Sequence, residues 1–341
     1  MVDNLLASKQ ASKQASKQAS NDYLSKANTD CLKGIFSIFV VAHHSVGTNV
    51  ISINWLVDIC IAMGYLSVAV FFFLNGYGLA YSQKTNNDYL NCFIKKRIVP
   101  FYITNLFVAF IYYVFKRLIL ERISLREIVL TFLWGGSLIV HGWYLQTLLI
   151  FYIIFYVSYI IFREPNKRRM SLTVGGLCYC LLCCALKYSP TWYQSIFAFN
   201  LGILWCDYKE QFDLWIEKKW LLGISLFATS TCGLYIVSFK NFFGNAIGLV
   251  SKMMSACTFV VVVVLLIFRV NFNNTFSRYL GKYYYEIYVS QGFFLLLFSR
   301  YSISSSLLFP CLVLICTLIT APIIHYPIVI IKTYLKGKLS T

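Results

Sequence analysis

Apolar stretches of about twenty residues recur along this chain, separated by short polar connections. That spacing predicts helices in a bilayer rather than one soluble core. Ten segments fit the pattern, at 32–51, 57–81, 98–116, 143–162, 170–188, 192–207, 219–239, 245–268, 283–300 and 306–331. The segment 192–207 is short, and 57–81 is long enough to tilt. The connection 118–142 breaks the pattern: Arg122, Arg126 and Glu127 lead into the apolar run IVLTFLWGGSLIV, too short to cross, which predicts an interfacial or re-entrant segment. At the start, residues 8–19 read SKQA three times, with no apolar run to act as a signal peptide. The expected organisation is a disordered polar cytoplasmic tail over 1–29, a transmembrane domain over 30–335 and a short cytoplasmic tail over 336–341. No internal repeat of the kind that builds two-fold transporters is visible.

Composition agrees with a membrane fold. Of 341 residues, 59% are hydrophobic and only 13% charged, where soluble domains carry about 25% charged residues. The net charge of +17 would raise nucleic acid first in a soluble protein, but here the cations sit between apolar segments. With the N-terminus inside, 22 of the 30 Lys and Arg fall on inner segments and 7 on outer ones, with Lys252 within a helix. That bias orients the chain with both termini inside and removes the need for a nucleic-acid partner. The fold class expected is therefore all-α and polytopic, with about ten transmembrane helices, N-in and C-in. One outer connection, 117–142, is basic against the trend, and Glu121 and Glu127 offset it only partly. Most of the twelve cysteines lie in apolar stretches; Cys180 and Cys183 form a CxxC without His or Asp nearby, so packing rather than a metal is expected.

Ionisable residues inside membrane helices are costly and mark function. The first segment holds His43 and His44 in KGIFSIFVVAHHS. On a helix Lys33 and His44 lie about 20° from the same face and about 16 Å apart, with Ser37 and Thr48 near the same stripe; His43 points about 100° away. A neutral imidazole can take a proton from a hydroxyl and return it to a leaving group, which suits acyl transfer from a thioester; alternatively it packs between helices. Lys95, Lys96 and Arg97 precede Pro100 in FIKKRIVPFY. They read either as the inner anchor of a span or as a clamp for the phosphates of a cytosolic acyl-coenzyme A. In FFFLNGYGLAYS, Gly76 and Gly78 permit close helix contact, and Asn75 and Tyr77 offer polar groups for substrate near the cytoplasmic end.

These motifs, in this order, resemble the acyltransferase-3 family of membrane acyltransferases. The match is carried by Asp30-Cys31-Leu32-Lys33-Gly34 with His44, by FFFLNGYGL, by KKRIVPFY and by GKYYYEIYVSQG, with weaker likeness in Trp143-Tyr144-Leu145, Phe151-Tyr152 and FNLGIL at 199–204. It covers about residues 30–300. Lys33 stands where many members have arginine, Ile94 where a paired arginine is common, Leu148 and Leu149 where many carry glutamate, and Gln291 where some have histidine. The resemblance implies His44 as the catalytic residue and supports Arg97 as a functional cation; the phosphates of acetyl-coenzyme A, the acyl donor, are expected near Lys33, Lys95, Lys96 and Arg97, and no metal is expected. It implies transfer of acetyl to a hydroxyl of a cell-surface or lipid-linked carbohydrate in the bacterial plasma membrane. The rival expectations are a flippase or other transporter without covalent chemistry, and a polysaccharide polymerase.

Overall fold

The computed structural model describes residues 22–46, 54–240, 242–300 and 308–340. The SKQA tract and Thr48 lie outside these. Among the described residues there is no strand. Twelve α-helices follow in order: α1 Lys26–Val46, α2 Asn54–Thr85, α3 Val99–Leu118, α4 Leu125–Trp134, α5 Trp143–Ile161, α6 Pro165–Ala185, α7 Phe197–Asp207, α8 Lys209–Lys240, α9 Gly244–Arg269, α10 Thr275–Lys282, α11 Tyr284–Arg300 and α12 Leu308–Ser340.

Among the described residues a helix occupies each of the ten expected apolar segments, yet six helices are long and apolar enough to cross a membrane: α2, α3, α5, α8, α9 and α12. Length and apolarity alone thus support six of the roughly ten expected crossings among the described residues, and do not by themselves support the others. The shortfall has plain causes. α1 carries Lys26, Asp30, Lys33 and two histidines. α6 opens on Lys167, Arg168 and Arg169. α7 has 11 residues, about 16 Å at 1.5 Å each, and α11 has 17.

The packed bundle also includes residues ahead of position 30. Tyr23 is buried, its hydroxyl donating to Asp213 Oδ1 at 2.5 Å and accepting from the Trp205 indole at 3.2 Å. At the other end α12 continues through Ser340.

α2 is the central helix. Residues 64–74 are buried around its whole circumference, which requires apolar side chains on every face and explains the run VAVFFFL. Two glycine seams bring its neighbours close. A Cβ on Gly76 would lie 2.1 Å from the Phe199 carbonyl oxygen, and one on Gly202 2.1 Å from that of Phe73, so α2 and α7 meet backbone to backbone. On α1, a Cβ on Gly34 would lie 2.4 Å from the Gly281 amide of α10. α8 and α9 pack against each other at the periphery, α8 with most of its surface exposed as lipid contact requires.

α4 occupies the ambiguous connection. Ser124 Oγ accepts from the Glu127 amide at 3.1 Å while Glu127 Oε2 accepts from the Ser124 amide at 2.8 Å, a reciprocal N-terminal cap. Gly135 closes the helix at φ 74°, where a side chain would be strained. At ten residues α4 is too short to cross. Burial pushes the Glu127 carboxyl upward, but the Ser124 amide and hydroxyl and the Lys116 ammonium outweigh it and hold the group below its ordinary value. Lys116 is itself buried between Glu121 at 3.5 Å and Glu127 at 3.4 Å.

Candidate active site

α1 enters the bundle beside α2, α10 and α11 and carries His43 and His44 in its last turn. Its face is pinned by Ser37, which is fully buried and donates to the Lys33 carbonyl at 2.7 Å, with the Tyr284 carbonyl also 3.2 Å away. His44 Nδ1 lies 3.1 Å from Gln291 Oε1 on α11. Gln291 Nε2 donates to the Tyr288 carbonyl at 2.9 Å. A carbonyl only accepts, so this bond fixes which end of the Gln291 amide faces the imidazole. His44 Nδ1 therefore carries the proton, and Nε2 is left with the lone pair that a general base needs.

A second imidazole sits against the first. The His141 ring stacks on His44 with centroids 3.6 Å apart and planes 5° from parallel. His141 belongs to the connection between α4 and α5 and adopts φ 58°, a left-handed backbone that costs roughly 1–2 kcal/mol in a non-glycine residue. Its carbonyl accepts from the Tyr288 hydroxyl at 2.5 Å, which ties the strained turn to α11. Burial, aided by the charge of His43, lowers the His141 imidazole to about 4, so it is neutral near pH 7. His43 points elsewhere: its Nδ1 donates to the Cys60 carbonyl at 3.1 Å, and its ring packs against Gly64.

The three histidines line a chamber of about 640 Å³, together with residues of α2, α4, α5, α6 and the connections on that side. Tyr288 lines it too, and also lines a second, much smaller void of about 20 Å³ on the far side. That narrow void is bounded by Lys33, Ser37, Asn75 and Tyr144 among others. Lys33 Nζ lies 3.1 Å from Asp30 Oδ1 and 5.1 Å from the centre of the Tyr284 ring. Asn75 donates to the Tyr144 hydroxyl at 3.2 Å and accepts from the Tyr152 hydroxyl at 2.9 Å.

The cations before Pro100 sit on a π-helical turn, Ile94–Ile98, that runs into α3. Pro100 has no N–H to offer the Lys96 carbonyl, and the wider turn accommodates that loss. Arg97 Nε donates to the Tyr89 hydroxyl at 3.1 Å, and its guanidinium is near enough to Lys33 for the two to repel. Lys95 and Lys96 are exposed and make no ion pair among the described residues. The structure thus brings Lys33, Asn75 and Arg97 to one end of the α1 stripe and His44 to the other. Tyr77 is not part of this site. It is buried, stacked between Phe73 and Tyr81, and its hydroxyl has no partner among the described residues.

His141 and Tyr288 escaped the sequence reading. The only available signal was a histidine directly before Gly142-Trp143 and a tyrosine in YYYEIYVSQ, neither of which marks a site without tertiary contacts. The role of Gln291 is testable: Gln291→Leu removes the acceptor that holds the His44 tautomer, and kcat is expected to fall about tenfold to a hundredfold, with KM for either substrate little changed. Steady-state kinetics on purified protein check this, and an unchanged kcat would remove the tautomer argument.

A polytopic helical membrane protein with an oriented imidazole deep in the bundle and cations at the opposite mouth has the architecture of an enzyme that handles a polar group inside the membrane. A family model described as an acyltransferase domain, that of the acyltransferase-3 family, matches residues 26–326. The chain belongs to that family, and so to the membrane acyltransferases rather than to the flippases and other transporters or to the polysaccharide polymerases. No curated protein and no solved structure gives a match.

Proposed function

We propose that this chain is an O-acetyltransferase that takes acetyl from acetyl-coenzyme A at the cytoplasmic face of the bacterial plasma membrane. It delivers that group to a hydroxyl of a cell-surface or lipid-linked carbohydrate reaching the bundle from the opposite side. The observation that carries this reading is the stripe on α1: Lys33 beside the narrow void and His44 beside the large chamber, with Tyr288 between the two. The positive-inside bias supports N-in and C-in, with ten crossings of which α1, α6, α7 and α11 rely on neighbouring helices to cover their polar or short stretches.

Lys33, Lys95, Lys96 and Arg97 hold the phosphates of the donor, and Asn75 meets its pantetheine arm beside Lys33. Lys33 offers a point charge where an arginine would form a bidentate pair. The arm spans the ~16 Å from Lys33 to His44. His44 Nε2 takes the proton of the acceptor hydroxyl as its oxygen attacks the thioester carbonyl. The C–S bond breaks, the imidazolium returns the proton to the departing sulfur, and an acetyl ester and free coenzyme A result.

Membranes containing the protein, given acetyl-labelled coenzyme A, are expected to place ester-linked label on glycan and release one thiol per ester. Lys33→Gln is expected to raise KM for acetyl-coenzyme A about tenfold, the effect of one charge-assisted contact, with kcat nearly constant. Glycan that crosses the membrane without gaining an ester, with the label still in the coenzyme pool, would falsify the proposal.

A further inference from the structure

We propose that the chamber beside His44 is a sugar subsite built for an acceptor that carries a negative charge. Trp143, Trp192 and Tyr188 form its stacking wall, Gln194 receives a sugar hydroxyl, and Arg126 supplies the counter-charge. The proposal rests on the reading above in taking the acceptor as a carbohydrate, and it adds which carbohydrates fit.

Three rings form one ledge. Tyr188 stacks on Trp192 with centroids 4.7 Å apart and planes at 27°, and Trp143 meets Trp192 at 6.3 Å. All three are half-buried and line the chamber. A pyranose presents a C–H face that lies flat on such rings and a hydroxyl edge that seeks polar partners. A partner is waiting. Gln194 lines the chamber and is only 4% exposed, yet its side-chain carbonyl oxygen has no hydrogen-bond donor among the described residues. A buried acceptor left without a donor is uncommon in a finished interior, and a sugar O–H is the donor that completes it.

The charge comes from a different observation. The basic connection after α3 runs against the positive-inside pattern that the rest of the chain obeys. Lys116 takes up both nearby carboxylates, Glu121 and Glu127. That leaves Arg117, Arg122 and Arg126 with no carboxylate partner among the described residues, and Arg126, on α4, lines the chamber. An uncompensated guanidinium on the wall of a sugar-sized space favours an anion fixed to the sugar. The anion is either a carboxylate on the ring or a phosphate at the sugar's linkage to a carrier.

Isothermal titration calorimetry on the full-length protein in lipid nanodiscs, without any acyl donor, tests this separately from acyl transfer. The probes are a neutral maltooligosaccharide, an oligogalacturonate of similar length, and glucose 1-phosphate beside free glucose. The charged member of at least one pair is expected to bind about tenfold tighter than its neutral counterpart, and the pair that shows it names carboxylate or phosphate as the anion. Arg126→Gln is expected to erase that preference and Arg126→Lys to retain part of it, while Trp192→Ala weakens all four. Equal affinity for charged and neutral sugars overturns the proposal, as does no binding by any of them. So does a preference that survives Arg126→Gln in protein whose melting temperature matches the parent. Binding of charged sugars by protein that transfers no acetyl would instead count against the acyl-transfer reading alone.

Discussion

Protein carrying His44→Ala is expected to reach the membrane in normal amounts and to transfer acyl groups at least about a hundredfold more slowly than the parent, the usual loss when a positioned general base is removed. The expectation follows from the tautomer. Gln291 receives the Nδ1 proton of His44, so the basic Nε2 is the atom left to meet a hydroxyl proton. His141 stacks on the ring but is turned by its own backbone and bonded through its carbonyl, so it does not replace the lost base. His44 is half-buried, and replacing its ring by a methyl group removes the bond to Gln291 and the stack on His141 but adds no atoms, so truncation leaves a hole rather than a clash. Thiol release from acetyl-coenzyme A with saturating acceptor measures the rate, and full activity in the variant would strip His44 of its role.

Gly202→Leu carries the largest expected loss of stability. The added Cβ would start 2.1 Å from the Phe73 carbonyl oxygen and 2.8 Å from the Tyr77 amide, with backbone rather than a yielding side chain on the other side. α7 must then move off α2, at a cost of about 3 kcal/mol or more, a large share of the roughly 5–15 kcal/mol that holds a domain together. Gly233→Leu on α8, where nothing lies within 4 Å, is the matched control and is expected to behave as the parent. Monodisperse yield and melting in detergent compare the two. If both variants purify and melt alike, the backbone seam is not what joins these helices.

Hydropathy alone located the helices, because each apolar run must be satisfied within its own backbone once it enters lipid. It overstated the spans that stand alone. The charges on α1 and α6 and the shortness of α7 are tolerated through neighbours, and neighbours are invisible in a linear pattern. The pairing of Lys33 with His44 was legible because both sit on one helix and need only its 3.6-residue period. The pairing of Asn75 with Tyr77 was not a sound expectation on the same period. Two residues apart, they point roughly 200° from each other, so Asn75 faces the narrow void while Tyr77 is buried on the other side, near the seam with α7. His141 came from a connection more than ninety residues away from His44 in sequence, and Tyr288 from further still. Their meeting depends on the strained turn at His141 and its bond to Tyr288, which no local pattern encodes.

The tyrosine between the two voids also has an electrical meaning. A protein open to both sides of a membrane would short-circuit the ion gradients that the cell lives on. Tyr288 is anchored to the His141 carbonyl and only about 20 Å³ is free in the void beyond it, so among the described residues the two spaces meet at a constriction too narrow for a hydrated ion. On the proposed function, an acyl group would be handed past that constriction while the lipid barrier stays insulating.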